Sequence, residues 1–269
     1  MMSEKDLKSV VKEKYGQIAL QVESSQGCCC GPVSDCCGLD YTNFSENYES
    51  QQGYNKDADL GLGCGIPTEF AGIQPGHHVL DLGSGAGNDC FVARALVGET
   101  GQVTGIDFTD AMVEKAISNA GKLGFTNVQF VKGDIEHMPF DDNQFDVVIS
   151  NCVLNLVPDK GKAFSEIFRV LKSEGQFCVS DVVVKGEMPE KLRADAEMYA
   201  GCVSGALQME DYLAAAKNAG FKNLAVHKER KIDIPESILR QYLDDDKLTD
   251  AAFGKFGIFS ITLSATKKH

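Results

Sequence analysis

The sequence has no apolar run that approaches the roughly 20 residues a helix needs to cross a bilayer, which argues against a membrane protein. It also has no cluster of lysine and arginine. Its 39 acidic residues against 26 basic ones give a formal net charge of -13, whereas phosphate backbones bind basic surfaces. The composition therefore argues against nucleic acid as a partner and favours a small molecule.

The N-terminus lacks the apolar core and the small-residue cleavage site of a secretory leader. Residues 1–17 are charged, with Leu7, Val10 and Val11 at helical spacing, so we expect a helix of a mature cytoplasmic protein. No internal repeat is present. A chain of 269 residues with 43% hydrophobic content suffices for one domain with appendages, and we expect it to act as a monomer.

An apolar strand that runs into a glycine-rich turn, at residues 79–89, organises the rest of the chain. Glycine allows positive φ and lets backbone approach a ligand, and here Gly83, Gly85 and Gly87 alternate. This G-x-G-x-G spacing, with Asp81 before it, differs from the G-x-G-x-x-G of dinucleotide sites. It favours a cationic nucleoside such as S-adenosylmethionine, the alternative being a tight strand-to-helix turn without a ligand.

Beyond this turn the hydrophobic pattern alternates between strands and helices, which predicts an α/β fold with a doubly wound parallel sheet. Residues 189–220 depart from the alternation and predict a helical insertion after the fifth strand. The strand at 257–266 alternates polar and apolar residues, so we expect an antiparallel edge. The predicted parts are an N-terminal helix with a cysteine-rich lid (1–65), a cofactor-binding core (66–186) and a substrate-binding insertion that completes the sheet (187–269).

Acidic residues follow the first three predicted strands: Asp81, Asp107 and Asp134. Ligands of open parallel sheets bind at the carboxyl ends of the strands, where these three strand-end acids converge. Asp107 can accept both hydroxyls of a ribose, and Asp134 can accept from an adenine amino group. Phe108 and Ile135 are expected to sandwich the base. Each acid alone is also a common helix cap or turn residue, but three behind one glycine turn favour a nucleoside site.

The motifs Asp81-Leu82-Gly83-Ser84-Gly85, Gly105-Ile106-Asp107 and Gly133-Asp134-Ile135 resemble those of class I S-adenosylmethionine-dependent methyltransferases. The resemblance covers about half of the chain and implies a Rossmann-like sheet, but it leaves the substrate open. The cofactor-binding residues that it and the strand-end pattern predict are Asp81, Gly83, Ser84, Gly85, Asp107, Phe108, Asp134, Ile135 and Asn151.

The sequence contains ten cysteines. It offers no obvious general base near the predicted crevice. Five of them lie between residues 28 and 37, without the C-x₂-C pairs of a structural zinc site. Cys152 follows the fourth strand, while Cys64 precedes the core and Cys202 lies in the insertion. Buried cysteine is also a common small hydrophobe, which is our interpretation of Cys90 and Cys178.

The segments 62–65, 151–160 and 201–207 resemble those of arsenite methyltransferases over nearly the whole chain. The resemblance implies that Cys64, Cys152 and Cys202 are catalytic and hold arsenite. It implies a fourth, N-terminal cysteine among three neighbours, of which we choose Cys30. It also implies S-adenosylmethionine as methyl donor and a thiol reductant, glutathione or thioredoxin, as co-substrate.

The chemistry of arsenic agrees with this resemblance. Trivalent arsenic is thiophilic, and three thiolates leave its lone pair free to attack a sulfonium methyl group, so that positioning suffices and no base is needed. We therefore expect an arsenite methyltransferase that gives mono- and dimethylated arsenic. The alternatives are a class I methyltransferase for an organic small molecule and a non-enzymatic thiol metal-binding protein on the same scaffold.

Overall fold

The structure, a computed structural model, describes residues 4–24, 45–187, 202–203, 205–233 and 256–268. The strands of the described residues are β1 His78–Leu82, β2 Gln102–Asp107, β3 Val128–Lys132, β4 Phe145–Asn151, β5 Leu171–Lys185, β6 Lys222–Ile232 and β7 Gly257–Thr266. The α-helices are α1 Glu4–Ser24, α2 Asn88–Val97, α3 Asp110–Leu123, α4 Lys160–Val170 and α5 Met209–Asn218. None of the helices described is long and apolar enough to traverse a bilayer.

The seven strands form one sheet in the order β3-β2-β1-β4-β5-β7-β6, and β1 to β5 pair in parallel. β1 lies between β2 and β4, with Leu82 opposite both Ile106 and Ser150. The carboxyl ends of these strands therefore share one edge of the sheet. This confirms the predicted doubly wound α/β fold, because buried apolar runs such as β1 and β4 suit a sheet covered on both faces.

The position predicted for β7 at the edge of the sheet is wrong. β7 is antiparallel, as expected, but it lies between β5 and β6, and β6 forms the edge. The polar residues that suggested a solvated face are buried: Ser260 is 4% exposed and Thr262 is 1% exposed. Their hydroxyls bond to Cys64 O and Ser180 Oγ, so the alternation marks two buried surfaces of different polarity.

Other boundaries differ modestly from the predictions. The apolar pattern predicts that the fifth strand begins near residue 175, but β5 begins at Leu171 and continues directly from α4. The hydrophobic pattern also predicts a helix at 236–243, but those residues lie outside the described ones, as do most of the lid and much of the insertion around Cys202.

A run of buried aromatic rings joins the sheet to α4 and α5. Phe177 on β5 is fully buried, with its ring centroid 5.7 Å from that of Phe164 and 4.6 Å from that of Phe221. Tyr212 meets Phe164 edge-on at 5.5 Å. These contacts hold two helices to one face of the sheet.

Replacing Phe177 with alanine is expected to lower the free energy of unfolding by about 3–5 kcal/mol, because a buried ring is exchanged for a cavity. Urea denaturation measures this change. Ile117→Ala is the control: that side chain is 54% exposed, and its loss should cost no more than about 0.5 kcal/mol. Similar losses in the two variants would contradict the packing role.

Candidate active site

A cavity opens at the carboxyl edge of the sheet, where β1, β2 and β4 end. It is lined by backbone and side chains from these strand ends and by residues of α1 and of the loop before β1. All nine residues predicted to bind a cofactor line it: Asp81, Gly83, Ser84, Gly85, Asp107, Phe108, Asp134, Ile135 and Asn151. Their roles there stay predictions, but the structure brings them together.

Close packing around the turn requires glycine at two positions. Gly83 has φ of +65°, and a Cβ added there would lie 2.3 Å from Val153 Cγ2. At Gly105 on β2, an added Cβ would lie 2.6 Å from Ser84 Oγ. A side chain at either position would push the turn away from the strands that shape the cavity.

Asp107 organises the backbone of the turn. Its carboxylate accepts hydrogen bonds from Gly85 N at 3.1 Å and from Thr109 N at 2.8 Å. Burial raises the pKa of Asp107, although these backbone N–H groups favour the charged form and partly offset the effect. The side chain therefore holds the glycine turn as well as facing the cavity.

Asp134 is paired with the N-terminal helix. Lys8 on α1 donates to Asp134 Oδ2 at 2.6 Å and also forms an ion pair with Glu136. Burial raises the pKa of Asp134, but the Lys8 ammonium and the Glu136 N–H outweigh it and lower that pKa overall. An adenine amino group that binds Asp134 would thus share this carboxylate with Lys8 or displace Lys8 from it. The sequence pattern did not reveal this lysine.

Three predicted cysteines lie together beside the cavity. Cys64 and Cys152 are joined by a disulfide, with Cα atoms 5.9 Å apart, and Cys202 Sγ donates to Cys152 O at 3.0 Å. All three are buried in one apolar cluster. Cys30 lies outside the described residues. In the parts of the chain described, no three metal-binding side chains are arranged to hold a metal ion. Two of the three sulfurs are bound to each other in the disulfide.

The backbone is strained at two of these cysteines. Cys152 has φ of 57° and Cys202 has φ of 63°, in the left-handed region that costs energy for residues other than glycine. Cys152 N is held by Ser180 O at 2.8 Å. Strain of this kind is frequent at functional sites, but Asn143, Glu174 and Asn223 also have positive φ, so it agrees with a role for the two cysteines without being confined to them.

The Cys202 thiol is neutral in this arrangement. Burial raises its pKa far above the ordinary value, and the nearby Asp181 carboxyl adds to the shift. A hydrogen bond from Tyr15 and the charge of Lys160 act in the opposite direction. Tyr15 belongs to α1, so this helix reaches from Asp134 to the thiol cluster.

Sequence reasoning missed several residues of the site. Asn155 is fully buried, and its amide donates to Cys202 O at 3.3 Å. Lys160 is buried and donates to Val157 O at 3.2 Å. Tyr48 and Asp89 join Asn151 in a network above the glycine turn. The only sequence signal for Asp89 was its place two residues after the last glycine of the turn.

Comparisons with known proteins identify the family. The profile of a family described as "Methyltransferase domain" matches residues 73–220. A solved arsenic (III) S-adenosylmethionine methyltransferase from Chlamydomonas reinhardtii is 39% identical, with a TM-score of 0.66 over 77% of this chain and 68% of that one. The chain belongs to the arsenite methyltransferase family.

Curated members of the arsenite methyltransferase family match over a large part of the chain. The enzyme of Halobacterium salinarum is 40% identical over 82% of this chain, and that of Homo sapiens is 37% identical over 72%. These alignments cover 59% and 54% of the two relatives, so the chain spans little more than half the length of the curated relatives it matches. Membership of the family confirms the resemblance seen in the cysteine segments.

Proposed function

We propose that this chain transfers a methyl group from S-adenosylmethionine to trivalent arsenic bound by Cys64, Cys152 and Cys202, giving mono- and then dimethylated arsenic. The observation that carries the proposal is the meeting of these three cysteines in one cluster, of which Cys152 lines the cavity that the predicted cofactor residues share. The family to which the chain belongs supports it.

The cavity fits a polar nucleoside. Ser84 Oγ and Asn88 Oδ1 are buried, belong to residues that line the cavity, and have no hydrogen-bond partner among the described residues. Buried polar atoms are normally paired, and a ligand with hydroxyl and amino groups would supply their partners. These unpaired polar atoms thus suit S-adenosylmethionine better than an apolar ligand.

The protein residues would bind and orient the methyl donor. Asp107 would accept from ribose hydroxyls while it holds the Gly85 N–H, and Phe108 and Ile135 would flank the base. Asn151 lines the cavity next to Cys152, where it can fix the end of the methyl donor nearest the thiols. S-adenosylmethionine supplies a methyl group on a positively charged sulfur.

The cysteines would bind and activate the substrate. Three thiols replace the three hydroxyls of arsenous acid, and three waters leave. The arsenic lone pair then forms the bond to carbon as the bond from carbon to sulfur breaks, so no proton is abstracted. Burial beside Asn155 and Leu156 would limit the access of water to the thiol cluster, which strengthens this positional catalysis.

Reduction would complete the cycle. Methylation formally oxidises arsenic, and closure of two thiols to a disulfide returns it to the trivalent state. The Cys64–Cys152 disulfide is the kind of product this step leaves. We propose that glutathione or thioredoxin reopens it, that the chain acts as a cytoplasmic monomer, and that residues 1–65, 66–186 and 187–269 serve as lid, cofactor core and substrate-binding part.

The direct test is an assay of methylated arsenic species with purified protein, S-adenosylmethionine and a thiol. Separation of the arsenic species by chromatography with elemental detection should show monomethylated and then dimethylated arsenic. Absence of both products, with binding of the donor demonstrated by calorimetry, would overturn the proposal.

Arsenite binding should require reduction of the Cys64–Cys152 disulfide. In a background with serine in place of the five cysteines between residues 28 and 37, protein treated with a phosphine reductant is expected to bind about one equivalent of arsenite, since arsenic requires free thiolates. Untreated protein should bind none. Equilibrium dialysis with arsenic quantification checks this, and equal binding by both forms would contradict it.

A further inference from the structure

A small polar network connects the cavity to the backbone beside Cys64. The Tyr48 hydroxyl oxygen lies 2.8 Å from Gly65 O and 2.7 Å from Asp89 Oδ1. Asn151 Nδ2 lies 2.8 Å from Tyr48 Oη, 2.8 Å from Gly65 O and 3.1 Å from Asp89 Oδ2. The Asn151 oxygen accepts from Cys64 N at 3.0 Å. One network therefore touches both Cys64 and its neighbour Gly65.

The hydrogen atoms available cannot serve all of these contacts when Asp89 is ionised. The phenol of Tyr48 has one hydrogen, and the amide of Asn151 has two. The phenol must then choose between the Gly65 carbonyl and the Asp89 carboxylate. A protonated Asp89 donates to the Tyr48 oxygen instead, which frees the phenol hydrogen for Gly65 O. The charge of Asp89 thus decides which partner Tyr48 takes.

The surroundings of Asp89 make this charge responsive to a ligand. Burial raises the pKa of Asp89 to about 6, and Tyr48 and Asn151 partly oppose that shift. Asp59 faces Asp89 from the loop before β1, and Asp81 faces it from β1. Cys90 Sγ donates a hydrogen bond to Asp81 Oδ2 at 3.2 Å. Asp107 stands behind Asp81. The charged neighbours named here are all acids, and Asp59, Asp81 and Asp89 all line the cavity.

Resting on the proposed function, in which a methyl donor with a net positive charge occupies this cavity, we infer that Asp89 is a positioning residue for Cys64. In the fraction of free protein that carries a proton on Asp89, donor binding releases that proton to solvent, which moves the Tyr48 hydroxyl from the Gly65 carbonyl to the Asp89 carboxylate. Gly65 O keeps its contact with Asn151, so the Cys64 segment loses one of two side-chain anchors on that carbonyl. Donor binding and the freedom of Cys64 are thereby coupled.

Calorimetry measures the released proton directly. Titration of the full chain with S-adenosylmethionine, in buffers of different ionisation enthalpy, gives the number of protons released at each pH. The wild-type protein should release about half a proton at pH 6 and almost none at pH 8, because a group with that pKa is half protonated at pH 6. Asp89→Asn, which keeps the shape but cannot ionise, should lose this release while still binding the donor.

Two further variants make the result specific. Asp57→Asn removes an exposed carboxylate outside the cavity lining and should release protons as the wild type does. Tyr48→Phe removes a hydrogen bond that favours the charged form of Asp89, so the pH of greatest release should move upward. The Tyr48→Phe profile keeps the inference testable if Asp89→Asn fails to fold.

The outcomes separate this inference from the proposed function. Equal proton release by wild-type protein and Asp89→Asn, with donor bound to both, overturns the coupling and leaves the methyltransferase proposal intact. An unshifted profile in Tyr48→Phe also overturns it. Failure of the wild-type protein to bind S-adenosylmethionine at any pH overturns both.

Discussion

Cys202→Ser is expected to lower the rate of arsenite methylation at least about 100-fold, because a serine hydroxyl is a poor ligand for thiophilic arsenic. The affinity for S-adenosylmethionine should change by less than about twofold, since Cys202 lies outside the cavity lining. Product formation and calorimetric binding of the donor measure the two quantities. Serine also tolerates the position, where φ is 63°, about as well as cysteine does.

The matched control is Cys178→Ser. Cys178 is fully buried on β5 in a different apolar cluster, so its replacement tests the effect of losing a buried thiol as such. We expect it to retain arsenite methylation. Full arsenite methylation by Cys202→Ser would contradict arsenic ligation by this thiol.

Asp107→Ala is expected to weaken the binding of S-adenosylmethionine by about 100-fold or more, because it removes the predicted ribose acceptor and two hydrogen bonds to a charged group that shape the glycine turn. Calorimetry measures the affinity. Arsenite binding by the reduced thiols should persist, because Asp107 contacts the turn rather than the cysteines.

Two further variants calibrate that loss of affinity for the methyl donor. Asp107→Asn keeps one oxygen acceptor and should bind the donor with intermediate affinity. Asp110→Ala changes an exposed carboxylate, ion-paired with Lys12 and Lys132 at the start of α3, and should bind as the wild type does. Donor affinity within about threefold of wild type in Asp107→Ala would contradict the assigned role.

The cavity lining was predictable because it follows from a rule of topology. Parallel strands place their carboxyl ends at one edge, so Asp81, Asp107 and Asp134 converge once the strands are recognised. The proximity of the three cysteines was inferred from a resemblance, because periodicity says nothing about a contact between Cys64 and Cys202.

The rest depends on contacts between distant parts of the chain. Lys8 reaches Asp134 across 126 residues, and Tyr48 reaches Asn151 across 103. A lysine at helical spacing and a tyrosine in a polar loop carry no local signal of such partners. The edge position predicted for β7 failed for a related reason, since alternating serine and threonine give the same pattern whether their polar face meets water or a buried loop.

The position of β7 determines when one contact of the thiol cluster can form during synthesis of the chain. Ser260 Oγ supports Cys64 O at 2.6 Å, yet the two residues are 196 positions apart. Chains emerge from the ribosome N-terminus first. Cys64 and Cys152 are therefore both exposed to the cell before the strand that braces Cys64 has been made. During elongation the nascent chain carries these thiols without the hydrogen bond from Ser260.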